Sequence, residues 1–309
     1  MHTISDLMRQ SLLGLLEASR RQWHPLHQLR KLSLFRRVST TIDFPVWRRL
    51  YGIRHPVRLR LMRNLSYLVN ARTTEPEMVA LFLAINKMFS PSTFWDIGAN
   101  IGYYSWLLKS QNTSMAVSLF EPDPINLDLL HQTALGAGGG GSGIAIVPYA
   151  ASDADGEAVF VVDPVSGATG TLKNTEQEFT VRHYGVSPET IPVKTVALDT
   201  FRRNTLPPEL IKIDVEGHES AVIRGAQRTL GEDQPILIFE SFARDAALFA
   251  ILHGLEYQLF DAERMTGDLQ KTTNFLALPA RHVSRFQELE AAWRQELDIL
   301  GLSSLANAV

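Results

Sequence analysis

From residue 93 the chain alternates short apolar runs with amphipathic stretches, and this rhythm narrows the fold more than any other feature. Residues 93–97, 115–120, 144–151, 210–215 and 236–239 read as strands, and residues 103–109, 124–135 and 219–230 as helices between them. Strand, helix and strand at this spacing build right-handed βαβ units and a parallel sheet. Two later runs, 257–260 and 275–278, have no long helix between them, which favours an antiparallel pair. The expected architecture is therefore α/β: a doubly wound, mostly parallel sheet.

Three segments stand outside this rhythm. Residues 1–72 read as a basic, mainly helical extension rather than strands, and the main domain is expected over 73–280. Residues 156–198, with strand-like pieces at 157–162 and 193–197, read as an antiparallel β insertion. The glycine run 138–141 reads as a connector. Residues 281–309 carry a last helix whose stripe of Phe286, Leu289, Trp293, Leu297 and Leu300 is expected to pack on the domain.

The chemistry is densest where the first of these strands ends, in Phe94-Trp95-Asp96-Ile97-Gly98-Ala99-Asn100-Ile101-Gly102. Glycine serves where a chain turns sharply or a ligand approaches the backbone, and a following helix start offers free N–H groups. Asp96 stands where it would repel a pyrophosphate and attract an ammonium, and Asn100 occupies the place of the glycine that admits a diphosphate. A ligand with both a cation and a carboxylate fits better, and S-adenosylmethionine is one. Glu121 ends the next strand, 19 residues after Gly102, where an acid commonly accepts ribose hydroxyls; capping the next helix is its plainer role. Pro122 is placed to pack on a purine.

Together, Asp96-Ile97-Gly98-Ala99-Asn100-Ile101-Gly102-Tyr103-Tyr104-Ser105, Phe120-Glu121-Pro122, Ala151-Ser152-Asp153-Ala154-Asp155-Gly156 and Lys212-Ile213-Asp214-Val215-Glu216-Gly217-His218-Glu219 resemble the FkbM-type methyltransferases in order and interval. The resemblance spans roughly residues 75–280. It implies a class I methyltransferase fold: a Rossmann-like, seven-stranded sheet whose last strand is antiparallel and inserted. It further implies S-adenosylmethionine as cofactor, with binding roles at Asp96, Gly98, Asn100, Gly102 and Glu121, and with Pro122, Ser152 and Asp214 beside them. Members of the family typically O-methylate hydroxyls of sugars, polyketides or similar natural products. The leader matches no part of that pattern.

Methyl transfer to a hydroxyl needs an aligned acceptor and a group near the departing proton. The stretch 211–219 supplies candidates: Asp214 near the methionine end of the cofactor, with Glu216 or His218 for acid–base work. Strand alternation puts Lys212, Asp214 and Glu216 on one face, so Lys212 is expected to pair with Asp96 or Asp214. Glu216 and His218 could equally do no more than shape the turn. Tyr103 and Tyr104 read either as an aromatic wall or as helix packing, and Glu240 and Ser241 as further crevice residues. The insertion, with residues 166–171 and His183-Tyr184, is expected to shape the acceptor pocket. No metal is expected, because the turn at Gly217 should carry His218 away from the acids. A nicotinamide oxidoreductase would need a diphosphate-friendly turn that Asn100 disrupts, and a non-catalytic cofactor-binding scaffold would keep the same residues without turnover.

Composition trims the alternatives. The absence of Cys excludes disulfides and thiolate metal sites and suits a reducing, cytoplasmic setting. No secretory signal is read at the start, and no run of about 18 apolar residues spans a bilayer. Residues 1–63 hold thirteen Lys/Arg against three acids, a net of +10 in a chain of net −3. That leader either docks on the acidic remainder or meets an anionic surface, which leaves peripheral membrane contact open. It lacks the interleaved aromatics that single-stranded nucleic acid needs, so no nucleic-acid partner is expected. The partner expected is a small-molecule or glycan acceptor, and no oligomeric state is legible.

Overall fold

The computed structural model describes residues 42–69, 75–137, 143–162, 170–172 and 189–301. The expected readings at 1–41, the glycine run, residues 166–169 and His183-Tyr184 lie outside these.

The first described elements correct the sequence reading. Strands β1 (Pro45–Arg48) and β2 (Val57–Arg60) pair antiparallel, where helices and connections were expected. The cause is a period-two pattern hidden among the arginines. Val57 and Leu59 are fully buried, while Arg58 lies over the Trp47 ring and Arg60 holds Asp43 at 2.7 Å. Short helix α1 (Leu65–Val69) and then α2 (Pro76–Phe89) follow, the latter opening on a proline whose missing N–H is harmless there.

The alternation then runs as expected through β3 (Thr93–Ile97), α3 (Tyr103–Gln111), β4 (Ala116–Phe120), α4 (Pro124–Gly136) and β5 (Ile144–Val147). Here a single strand over 144–151 was expected. Pro148 has no N–H to continue the ladder. The chain leaves the sheet and starts β6 (Ala150–Ser152) in another. β7 (Gly156–Val162), β8 (Thr171–Leu172) and β9 (Glu189–Ala197) complete that four-stranded sheet, ordered β6-β9-β7-β8. Its β7 pairs are antiparallel, but β6 and β9 run parallel.

After α5 (Leu198–Arg202) come β10 (Leu210–Ile213), α6 (Glu219–Arg224), α7 (Gln227–Glu232), β11 (Ile236–Glu240), α8 (Ala246–Gly254), β12 (Tyr257–Asp261) and β13 (Asn274–Pro279). The helix expected over 219–230 is broken at Gly225. A side chain there would stand 2.1 Å from the Ser152 carbonyl oxygen, so the helix pair packs on β6 only because residue 225 has none. Helices α9 (Ala280–Val283) and α10 (Phe286–Ile299) end the described chain.

The main sheet has seven strands ordered β12-β13-β11-β10-β3-β4-β5. β13 runs antiparallel to both neighbours, and the pairs among β11, β10, β3, β4 and β5 are parallel. This is the class I methyltransferase arrangement. Alternate residues of each strand feed opposite faces. Phe94, Leu119 and Leu210 meet α2, α3, α4 and α10, while Trp95, Ile97 and Ile211 meet α6, α7 and α8. On the first face Trp293 of α10 donates its indole N–H to the Glu77 carbonyl at 2.9 Å. Chain order reverses between β3 and β10, so the crevice opens at the carboxyl ends of these two strands. Among the described residues no helix is long and apolar enough to cross a membrane.

Val57, Leu59, Leu50 and Ile53 join the first core, so residues 42–69 are built into the domain. Their strongest polar tie is Arg63 to Asp123, 2.5 Å apart with both side chains 3% exposed. Removing one partner of a buried pair strands the other's charge. Arg63→Ala should therefore lower stability by about 3–5 kcal/mol, read as a lower denaturant midpoint with unchanged slope.

Candidate functional site

The turn after β3 is shaped by three left-handed residues. Gly98 has φ 76°, and a side chain there would stand 1.9 Å from the Asp214 carbonyl oxygen, so the tips of β3 and β10 close together only over glycine. Asn100, at φ 53°, adopts a conformation that asparagine tolerates better than most residues. Gly102, at φ 78°, serves packing instead. A Cβ would meet the Trp106 indole at 2.5 Å and Leu130 at 2.8 Å, and Gly102 is not part of the cavity wall described next. The Gly98 and Ala99 N–H groups both donate to the Phe120 carbonyl, which ties the turn to β4.

A cavity opens over this turn, walled by Gly98, Asn100, Glu121, Pro122, Asp214 and His218 among others. Its apolar part comes from Pro122, Tyr149, Ala151, Phe160 and Leu172. Phe160 and Leu172 belong to the four-stranded sheet, so part of the insertion expected to shape an acceptor pocket also covers this cavity. Glu121 is buried at its edge. One carboxylate oxygen accepts the Asn100 N–H at 2.7 Å and the other the Asp123 N–H at 2.8 Å. Burial pushes its carboxyl up to about 7 against these favourable bonds. The cap of α4 is Asp123, which accepts the Ile125 N–H at 2.8 Å, so Glu121 is free of that plainer duty.

Asp96 lies deeper than the cavity wall. Its carboxylate is buried, accepts the Ser105 hydroxyl at 2.8 Å and faces the Lys212 ammonium at 3.8 Å. It is not in the cavity wall, whereas Asp214 is. Asp96 thus makes an inward ion pair with Lys212. Register explains it: Lys212 lies directly across the ladder from Asp96. Lys212 also donates to Asp214 at 2.9 Å, so both expected partners are real. Burial works to lower the lysine, but the two carboxylates overcome this and push it up.

Strand geometry ends at Ile213, so the expected alternation through Glu216 stops early. Glu216 turns at φ 52°, and its carbonyl accepts the Thr171 hydroxyl at 2.9 Å. Asp214, Glu216 and Glu240 bring one carboxylate oxygen each within 4.8 Å of one another. These are ligand types that a divalent cation accepts; Glu240 was expected in the crevice, but the acids at 214 and 216 were considered together with His218, not with it. Burial, reinforced by Asp214, Glu216 and Glu75, pushes Glu240 up to about 10. His218 stands apart from the trio in its bonding. Its Nε2 is 2.9 Å from the Ser152 hydroxyl, and burial lowers its pKa. Ser152 thus reaches the site through His218 and is not itself in the wall.

Tyr103 and Tyr104 are core residues, yet Tyr104 donates to Glu75 at 2.6 Å and its ring lies 5.6 Å from the Lys212 ammonium. Glu75 was missed in sequence. It precedes α2 like an ordinary first-turn acid, and no local pattern links it to positions 104 and 212.

A family model described as Methyltransferase FkbM domain matches residues 96–265. The hexuronic acid methyltransferase AglP of Haloferax volcanii is 29% identical over 164 residues, covering 52% of this chain and 60% of that protein. The chain thus spans about 60% of the length of that curated relative. Among solved structures, methyltransferase FkbM from Methylobacillus flagellatus KT aligns with 20% identity and a TM-score of 0.42, over 60% of this chain and 43% of that one. An O-methyltransferase from Bacillus cereus in complex with SAH aligns with 11% identity and a TM-score of 0.33, over 67% and 81%.

The raised Glu121 carboxyl has a consequence for stability. Between about pH 4.5 and 7 the unfolded chain releases the proton that folded Glu121 keeps, so its contribution to stability falls with rising pH and levels above 7. Denaturation of the native chain and Glu121→Gln across this range should show their stability difference shrinking as pH rises. A flat difference would refute this burial.

Proposed function

The chain belongs to the FkbM methyltransferase family, and from that premise we propose that it O-methylates a hydroxyl of a sugar, with a hexuronic acid as the first acceptor to test. S-adenosylmethionine is the cofactor, and when bound it supplies a methyl group on a sulfonium. The observation that carries the reading is the buried Glu121 at the cavity edge. Each of its oxygens takes a single backbone N–H, leaving a lone pair toward ribose hydroxyls. The buried Asn100 Oδ1 has no hydrogen-bond partner among the described residues and is a waiting acceptor beside it. Pro122, Tyr149 and Phe160 offer faces to a purine, and Asp214 offers negative charge to the methionine end.

For the acceptor, Glu216 is preferred to His218 as the group that receives the hydroxyl proton. Glu216 sits with Asp214 and Glu240, while the His218 ring is held by Ser152. Support for a sugar comes from the relative named for hexuronic acid. A hexuronic acid also offers a carboxylate, but the carboxyl groups of Glu75, Asp214, Glu216 and Glu240 make this crevice inhospitable to an anion, which favours the hydroxyl.

Purified protein should bind S-adenosylhomocysteine in calorimetry, and Glu121→Ala should weaken that binding at least about tenfold, as expected for lost bonds to a charged acceptor. With labelled S-adenosylmethionine and a glucuronate-bearing glycan, the product should be an alkali-stable methyl ether. An alkali-labile product would mean an ester on the carboxylate. Glu216→Gln should cut transfer by about 10²–10⁴-fold with cofactor affinity kept. Absence of binding to either adenosyl ligand would sink the reading.

A further inference from the structure

Charge is unevenly divided along the sequence, and the described part of the basic segment carries exposed apolar residues. Residues 1–63 are +10 while the whole chain is −3. Within the described part of that segment, Ile42, Phe44 and Trp47 are 42%, 54% and 47% exposed, and Arg48 and Arg49 beside them are exposed as well. Val46 alone of β1 turns toward the core. Trp47 is nevertheless held in place. The Arg58 guanidinium lies 5.1 Å from its ring centroid, and its edge occupies the space beside Gly136, where a Cβ would come within 2.7 Å. Leu135, the neighbour of Gly136, is 69% exposed. A fixed indole, two aliphatic side chains and a phenyl ring thus lie among arginines.

We propose that this edge, built from β1 and the end of α4, docks the protein on an anionic lipid surface. Aromatic rings and arginines favour the boundary between headgroups and acyl chains, where the apolar body sinks and the cation stays with the phosphates. Each base near such a surface strengthens binding by about fivefold. In sequence, residues 1–41 add seven Lys/Arg against two acids. Ile42 and Leu135 distinguish the surface from a nucleic-acid site, since aliphatic side chains give bases nothing to stack on. The remainder of the chain, net −13, is repelled by the same lipids and so orients the molecule. α4 begins at the cavity and runs 13 residues, which sets the docking edge about 20 Å from the cavity and leaves the crevice open to solvent.

The full-length protein should float with vesicles of phosphatidylcholine containing about 30% phosphatidylserine, not with phosphatidylcholine alone, and should be released by about 0.5 M salt, as screening demands. Trp47→Ser and the double change Arg48→Glu with Arg49→Glu should each weaken flotation at least about tenfold, while S-adenosylhomocysteine affinity stays as in the native chain and the double change leaves thermal unfolding as it was. Equal binding to neutral and anionic vesicles overturns the proposal, as does no binding to either. Flotation unchanged by both variants overturns it too, as would a Trp47-dependent dimer or capture of an RNA oligomer in place of vesicles. Because these readouts need no acceptor, they fail or succeed independently of the methyl-transfer reading.

Discussion

The closeness of β3 and β10 at their carboxyl ends governs the rest of the site. Ile97 and Ile213 lie in register, and beyond them the backbone of Asp214 occupies the place that a side chain on residue 98 would need. That proximity sets Lys212 against Asp96 and Asp214, opens the crevice at the reversal of strand order, and forces the left-handed turn from which Asn100 meets Glu121. A sheet with these two strands a little further apart would have tolerated a side chain at 98 and lost the ion pair.

Charge is unusually concentrated there. Glu75, Asp96, Asp214, Glu216 and Glu240 gather from four places in the chain around the single ammonium of Lys212 among the described residues. Burial makes so many carboxylates unfavourable together, so Glu75, Asp96 and Glu240 are pushed toward their neutral forms. A site with surplus acid and little base is suited to a cationic ligand. An S-adenosyl sulfonium with its ammonium meets that description, and a pyrophosphate does not.

Much of this was legible in one dimension because the signals are local. The βαβ rhythm, the turn from Asp96 to Gly102 and the acid at 121 each lie within a few residues, and the antiparallel last strand follows from a missing helix. What stayed hidden depends on distance. Glu75 reaches the site from a separate element, and nothing in its own neighbourhood marks it. The inward turn of Asp96 depends on a lysine 116 positions away. Pro148 and Gly225 were visible, yet their consequences, a strand that changes sheets and a helix that breaks, required knowing what lay opposite. The strand at 57–60 is short, and its two charged positions leave only Val57 and Leu59 to carry the period-two signal.

Two hydrogen bonds join the smaller sheet to the loop between β10 and α6: Thr171 to the Glu216 carbonyl, and Ser152 to His218. The covering strands and the acid-bearing loop, which both line the cavity, are therefore stitched to one another. Any widening that admits a bulky molecule must either carry cover and loop as one piece or unpick both stitches, so access and the positions of Glu216 and His218 are mechanically coupled.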